Sequence, residues 1–533
     1  MEQPVNYLKI GKATDLSGRD YKIYRILEAF PGFLSIFTLV ILLVFSYFKP
    51  VWVAYFIIAF DVYWLLLVVY MAIFLITSYC KLKKGLRTDW QKKCEALKNG
   101  QFDRDTQKEI AADCLAKQGV AWDDLWQLII LPTCYESVEI IRTSLEALVK
   151  DNWPTERMIV ALGMEERSGA EGRARAEKIQ AEFGDKFGHF IITFHVDQDG
   201  ELKGKGANQA WCVRQVKAEI IDRLNLDYQK ILVSVFDIDT VITRGYFFAL
   251  TYKFLIVSDP YHTSYQPVPV YHNNIWKAPF FSRVAASSNT FWQMIMQIRQ
   301  ESLVTYSSHS MTFVALNEIG FWSTQNVSED SRIFWHCLMY YNGHYQVEPI
   351  HFEVSMDVTH DQTFWKTARS LYKQQRRWAW GGENIPYLMF NARKQWNRPG
   401  LDRGRIIGHI FIQIYGFHAW ATNALIIAVI GWMPMLLGGN RFNSTVLSGN
   451  LPAITQNLMN VAMIGLFLSA IVSALLLPKR PKKYTVWKNI RMTLEWFFVP
   501  VTIVIFGAIP CLEAQIRLLR GKYMGFWITP KSR

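Results

Sequence analysis

The sequence is poor in cysteine, and the seven present among 533 residues form no CxxC pair or other metal-ligand spacing. That leaves no local signature of a cysteine-based metal centre, and a reducing compartment suits the thiols as they stand. Internal repeats and low-complexity tracts are absent as well. A cleavable secretory signal is missing. Some thirty mainly polar and charged residues precede the first apolar run and no small-residue cleavage pattern follows it, so this run is expected to stay as an anchor. Finally, Lys and Arg are scarce between the first and second apolar runs and between the third and fourth, where only Lys49 and Arg441 occur.

What the chain does have is apolar surface: 51% of residues are hydrophobic and 15% aromatic, rich for a soluble protein. The excess is concentrated at 32–48, 51–79, 407–437 and 458–477, each near the roughly 17 to 25 residues that cross a bilayer. A fifth run, 494–509, is shorter and interrupted by Pro500. The formal charge of +13 is gathered beside these runs, as in Lys81, Lys83, Lys84 and Arg87, or Lys479, Arg480, Lys482 and Lys483. Basic residues beside spans and not on one face point to a bilayer, not to nucleic acid. By the positive-inside rule the N-terminus and the large central region are expected in the cytoplasm. Asp61, within the second run, is expected at the membrane interface because 62–79 could span alone.

Between the two sets of runs, short apolar strands alternate with helical patterns, the signal for a mostly parallel sheet with crossover helices. The strands read as 128–131, 158–162, 190–195 and 231–236, with a helix over 137–150. Acidic residues follow several of them, where open α/β sheets bind ligands.

Three signatures follow in order. Asp237-Ile238-Asp239 leaves the last strand with both carboxylates on one face, and two such charges call for a cation between them. A triplet of this kind alone is usually a solvated turn. Glu329-Asp330 opens a helical segment, where Ser328 as N-cap with acids in the first turn is the plain structural reading. A lone carboxylate there can also take a proton from a hydroxyl. Gln374, Arg377 and Trp378, spaced i, i+3, i+4, share one helical face, a pattern also found in helices that only lie on membranes.

Together, from about residue 126 to 531, these signatures resemble the membrane-bound, inverting family-2 glycosyltransferases, the group of cellulose, chitin and hyaluronan synthases. The resemblance implies a GT-A-type domain inserted between transmembrane helices. It implies that Asp237 and Asp239 hold Mg2+ or Mn2+ against a nucleotide-sugar diphosphate, with Asp330 as general base. Gln374 and Arg377 would then contact the diphosphate, while Glu329 and Trp378 face the acceptor. Arg376 could instead reach a lipid phosphate. Pro132 stands in the family's donor turn, with departures at Cys134 and Tyr135. The nucleotide-contacting acid, usually Asp, is represented by Glu165 or Glu166. Lys205 lies in a segment similar to the family's lysine-rich loop, for which a solvated loop competes. Phe526, Thr529 and Lys531 resemble a gating loop that closes over the donor in processive synthases, with Ile528 replacing Val.

The implied organisation is a cytoplasmic leader (1–31), two transmembrane helices (32–79), the GT-A domain (80–363), interfacial helices (364–406) and two further transmembrane helices (407–478). A re-entrant or interfacial segment with the gating-like loop (479–533) completes it. The implied activity is sugar transfer from UDP-glucose or UDP-N-acetylglucosamine to a polysaccharide, in a plasma or inner membrane. A non-processive enzyme glycosylating a lipid once is the alternative.

Overall fold

The computed structural model describes residues 6–529. At its centre is an eight-stranded sheet: β1 (Trp126–Pro132), β2 (Met158–Glu165), β3 (His189–His195), β4 (Ile231–Val235), β5 (Val241–Ile242), β6 (Thr263–Val270), β7 (Ser310–Thr312) and β8 (Gln346–Ser355). Their order is β3-β2-β1-β4-β7-β6-β8-β5. β1 runs parallel to β2 and β4, and β2 to β3, whereas β7 is antiparallel to both β4 and β6. The sheet is therefore mixed, with the expected parallel half.

β1, β2 and β4 are almost wholly buried, as near-continuous Val, Ile and Leu runs require when helices cover both faces. The crossover helices supply the cover. Val138–Val149 buries Ile140, Ile141, Leu145 and Leu148, one face of a 3.6-residue period. The parallel register brings Pro132 level with Gly163, and Glu165 level with His195, so the carboxyl ends of the strands form one ledge.

Five helical stretches among the described residues are long and apolar enough to cross a membrane: Gly18–Phe48, Pro50–Arg87, Arg403–Ala428, Val446–Leu476 and Val486–Leu519. Exposed Phe33, Phe37, Leu66, Ile73, Phe411 and Ile464 give them the apolar outer faces that lipid requires. The helices Pro50–Arg87 and Val446–Leu476 approach closely at Gly465, where a Cβ would lie 2.3 Å from Val68 Cγ1. Asp61, expected at the membrane interface, lies between helices. It is 1% exposed and bonds Thr455 on the neighbouring helix, because helix packing supplies a polar partner.

The stretch 486–519 is a succession of short helical pieces. Pro500 and Pro510 each start a new piece, and a π turn, Val504–Ala508, lies between them. Glu495 near its start pairs with Arg283 of the helix Phe280–Met296, and Leu518 near its end accepts a bond from Arg25.

Candidate active site

Beyond β4, Phe236 and Ile238 are buried in the core, and the chain then turns, the Thr240 N–H closing on the Asp237 carbonyl at 2.8 Å, so that Asp237 and Asp239 flank this turn. Their surroundings differ. Asp237 Oδ1 lies 2.8 Å from Lys205 Nζ, and Ser307 Oγ donates to Oδ2 at 2.7 Å. Asp239 is 2% exposed and accepts from the Asp357 backbone N–H at 3.0 Å. Asn273 ties the same corner by donating to the Asp239 carbonyl and to Asp357 Oδ1.

Lys205 is the first residue of the helix Lys205–Val216, so the solvated-loop reading of this segment does not hold. Its ammonium contacts Asp330 Oδ1 and Oδ2 at 2.8 and 3.0 Å, and Glu329 Oε1 lies 3.8 Å away. Burial works against this charge, but Asp237, Asp330 and Glu329 outweigh it and hold the lysine above its ordinary range. Without that cation, three carboxylates would face one another in a poorly solvated space.

Glu329 and Asp330 open the helix Glu329–Tyr340, where negative charge suits the helix dipole. Ser328 holds the N-cap position, yet its hydroxyl turns away from the helix and donates to Glu383 Oε1 at 2.6 Å. The capping-box reading is thus met in position and not in bonding. Glu329 is 1% exposed and its Oε1 has no hydrogen-bond partner. Burial, then the adjacent Asp330 charge, raises Glu329 well above the carboxylate range, while Lys205 and Arg377 oppose the shift.

On the helix Phe364–Ala379, Gln374 Oε1 accepts from Thr359 Oγ1 at 2.5 Å, and Trp378 packs against a cluster containing Tyr271 and Trp276. The Arg377 guanidinium lies 4.9 Å from the centre of the Phe526 ring. Arg376, for which a lipid phosphate was one expectation, pairs with Glu513 at 2.5 Å. Phe526 also covers Gly204, where a Cβ would fall 2.8 Å from its Cγ, so only glycine admits the ring there. Thr529 is buried beyond it, and Lys531 lies outside the described residues.

At the other end of the ledge, Pro132 closes β1, and Glu136 accepts from Thr133 Oγ1 and the Cys134 N–H, fixing the turn. Glu165 and Glu166 part ways. Glu165 is buried, with Arg167 3.2 Å from Oε1 and His195 Nδ1 3.5 Å from Oε2, whereas Glu166 pairs outward with Arg173. His195 Nε2 meets Glu201 at 2.9 Å. Burial disfavours the imidazolium, but the bonds to Glu165 and Glu201 outweigh it and raise the histidine. Asn208 joins the two ends, donating to the Gly163 carbonyl at 2.8 Å from the helix that Lys205 begins.

Two groups of side chains carry atoms able to bind a divalent cation. Among the described residues, Glu165, His195 and Asp197 have ligand atoms within 4.8 Å of one another, but Arg167 and Glu201 already satisfy this group internally. Asp237 and Asp239 supply carboxylate oxygens, the hard donor type that suits Mg2+ or Mn2+. The Lys205 ammonium beside Asp237 marks the same demand for positive charge.

Ser307, Asp357 and Glu383 reach the site from segments without a recognisable motif, and no spacing in the sequence distinguishes them. His195 ends a strand in register with Glu165, a signal that strand pairing could have supplied.

Among curated proteins, none matches the sequence. Among solved structures, similarity extends to a mannosyltransferase from Pyrobaculum calidifontis in complex with GDP-Man and Mn2+, at 12% identity and a TM-score of 0.37, over 84% of this chain and 99% of that one. S. aureus TarS is similar at 11% identity and a TM-score of 0.34, over 64% of this chain and 54% of its own. TarS 1–349 in complex with UDP-GlcNAc is similar at 12% identity and a TM-score of 0.34, over 66% and 91%. The model of glycosyl transferase family group 2 matches residues 232–507, more than half of the chain and a span that includes Asp237, Asp330 and Arg377, and the protein belongs to that family.

Proposed function

We propose that the protein transfers a sugar from a nucleotide-diphosphate donor, UDP-glucose or UDP-N-acetylglucosamine, to a growing glycan, inverting the donor's anomeric configuration to form a β-glycosidic bond. One observation carries this reading. A single buried ammonium, Lys205, bridges the strand-end acid Asp237 and the helix-start acid Asp330, so the place for a diphosphate adjoins the place for a reacting hydroxyl.

In this mechanism Asp330 accepts the proton of the acceptor hydroxyl as its oxygen attacks the anomeric carbon and the sugar–phosphate bond breaks. Lys205 and Arg377 lie where they neutralise the departing diphosphate, with Gln374 beside them. Trp378 provides a flat apolar surface for the acceptor sugar, and Glu329 lines the same space. Glu165, buried at the end of β2, is the acid placed to contact the nucleotide, in preference to Glu166. Mg2+ or Mn2+ held by Asp237 and Asp239 would supply further charge stabilisation to the diphosphate.

On this reading the catalytic domain faces the cytoplasm, where nucleotide sugars are made, at a plasma or inner membrane. The stretch 486–519 enters and leaves the membrane on that side. Supporting this, Glu495 pairs with the domain at Arg283, and the Leu518 carbonyl meets Arg25, close to the start of the first membrane helix. Phe526 can then cover the donor, together with Thr529.

The test is product analysis. Full-length protein in membranes, given radiolabelled UDP-sugars, is expected to put label into a polymer resistant to organic extraction. Label confined to the lipid extract would replace the polymer reading with single transfer to a lipid. Label in neither fraction with any nucleotide sugar would overturn transfer itself.

A further inference from the structure

A second site lies apart from the Lys205 cluster. A cavity of about 600 Å³ opens between the α/β domain, the start of the helix Phe364–Ala379 and the segment that begins at Val486. Its wall carries cationic and aromatic side chains among polar and small ones. Four Lys or Arg side chains line it, against the carboxylates of Glu495 and Asp361. Arg283 is matched by Glu495, with Nε to Oε2 at 2.8 Å, and Arg491 reaches that carboxylate only at 3.7 Å. Asp361 is engaged by its own loop, accepting from the Gln362 N–H at 2.7 Å and from Ser370 Oγ at 3.1 Å. Lys277, Lys488 and Arg491 therefore bring more positive charge to the cavity than its acids offset.

The aromatic side chains are Phe280, Phe364 and Phe498, and the rings of Phe280 and Phe498 meet at 5.1 Å. Outside the mouth, Trp365 and Trp487 are 79% and 76% exposed, and Ile490, Leu494 and Phe497 extend the apolar surface along the segment. Exposed tryptophans next to basic residues are the mark of the headgroup level of a bilayer. A soluble anion would satisfy the cations and leave these rings in water. An amphiphile satisfies both, and a volume of this size suits a lipid headgroup with the first part of its chains.

We propose that this cavity binds an anionic membrane phospholipid, with its phosphate held by Lys277, Lys488 and Arg491 and its acyl chains running past Phe280, Phe364 and Phe498 into the bilayer. The bound lipid abuts Thr363, Phe364 and Thr367, at the start of the helix that carries Gln374, Arg377 and Trp378. It forms part of the surface on which that helix rests. The site stands independently of the sugar-transfer reading.

Native mass spectrometry of the full-length protein released from nanodiscs tests it, comparing phosphatidylcholine alone with phosphatidylcholine plus phosphatidylglycerol. One phosphatidylglycerol should stay bound through detergent exchange. The double variant Lys488→Gln/Arg491→Gln should retain it at least fivefold less, since each basic residue near anionic lipid contributes on the order of a fivefold factor. The charge-preserving Lys488→Arg/Arg491→Lys should retain it as the wild type does, which separates loss of charge from loss of fold. Lys479→Gln/Lys482→Gln, basic residues outside the cavity, should also behave as wild type. Equal loss in that control would overturn the site in favour of diffuse attraction. Unchanged retention in the Lys488/Arg491 neutral variant would overturn it outright, as would displacement of the lipid by inorganic phosphate at equal phosphate concentration.

Discussion

The carboxyl edge of the sheet holds two buried acid clusters that are neutralised differently. At the β4 end, Asp237, Glu329 and Asp330 gather around Lys205, whose ammonium keeps its proton throughout the working pH range. At the β2–β3 end, Glu165 and Glu201 flank His195, whose charge depends on pH. The first cluster draws on segments more than a hundred residues apart, while the second comes largely from two neighbouring strands and the loop after them. On the proposed reading, a permanent cation suits a place for a diphosphate, and a conditional one suits a place where Glu165 contacts the nucleotide.

The sharpest way to break this comparison is at the first cluster. Asp239→Asn keeps side-chain volume and removes charge, so turnover should fall by about 10² or more while the protein still elutes like wild type. Activity retained by wild type in EDTA would remove the metal assignment. Next in size is Lys205→Met, which strands the Asp237 and Asp330 carboxylates beside Glu329. Leaving buried charge uncompensated costs about 3 kcal/mol, visible as a lowered unfolding midpoint in detergent. A variant as stable as wild type would mean that water already screens these acids.

The smallest effect belongs to the second cluster. His195 has a raised folded-state pKa, so its contribution to stability is complete below the unfolded value near 6.5 and is lost as pH rises through the folded value. The wild-type midpoint should therefore decline on going from mildly acidic to alkaline buffer, and His195→Gln should flatten that part of the decline. The same slope in both proteins would assign the pH dependence elsewhere.

Legibility in the sequence followed the range of the interaction. The four strands 128–131, 158–162, 190–195 and 231–236 were readable because a buried parallel strand is a nearly continuous apolar run, and all four are present with ends shifted by at most three residues. Asp237 and Asp330 were readable as candidates because each follows or opens a regular element. Their connection through Lys205 was not, since nothing local places residue 205 between residues 237 and 330. Ser328 shows the converse: its N-cap position was local and readable, but Glu383, some fifty residues later, took its hydroxyl. The partner of Asp61 was hidden for the same reason, since a hydropathy run does not reveal that Thr455 lies opposite it. The helical continuity of 486–519 through Pro500 and Pro510 was likewise hidden, since proline is tolerated at the start of each new helical piece.

The central claim is that Asp330 is the base of a nucleotide-sugar transfer, and Asp330→Asn tests it most directly because it keeps size and loses basicity. Binding of UDP-sugar and its transfer are measured on the same purified, full-length preparation. The account predicts donor affinity within about twofold of wild type and turnover reduced by about 10² to 10⁴. Weakened donor binding with turnover intact would contradict it and make Asp330 only a cap on its helix and a partner for Lys205.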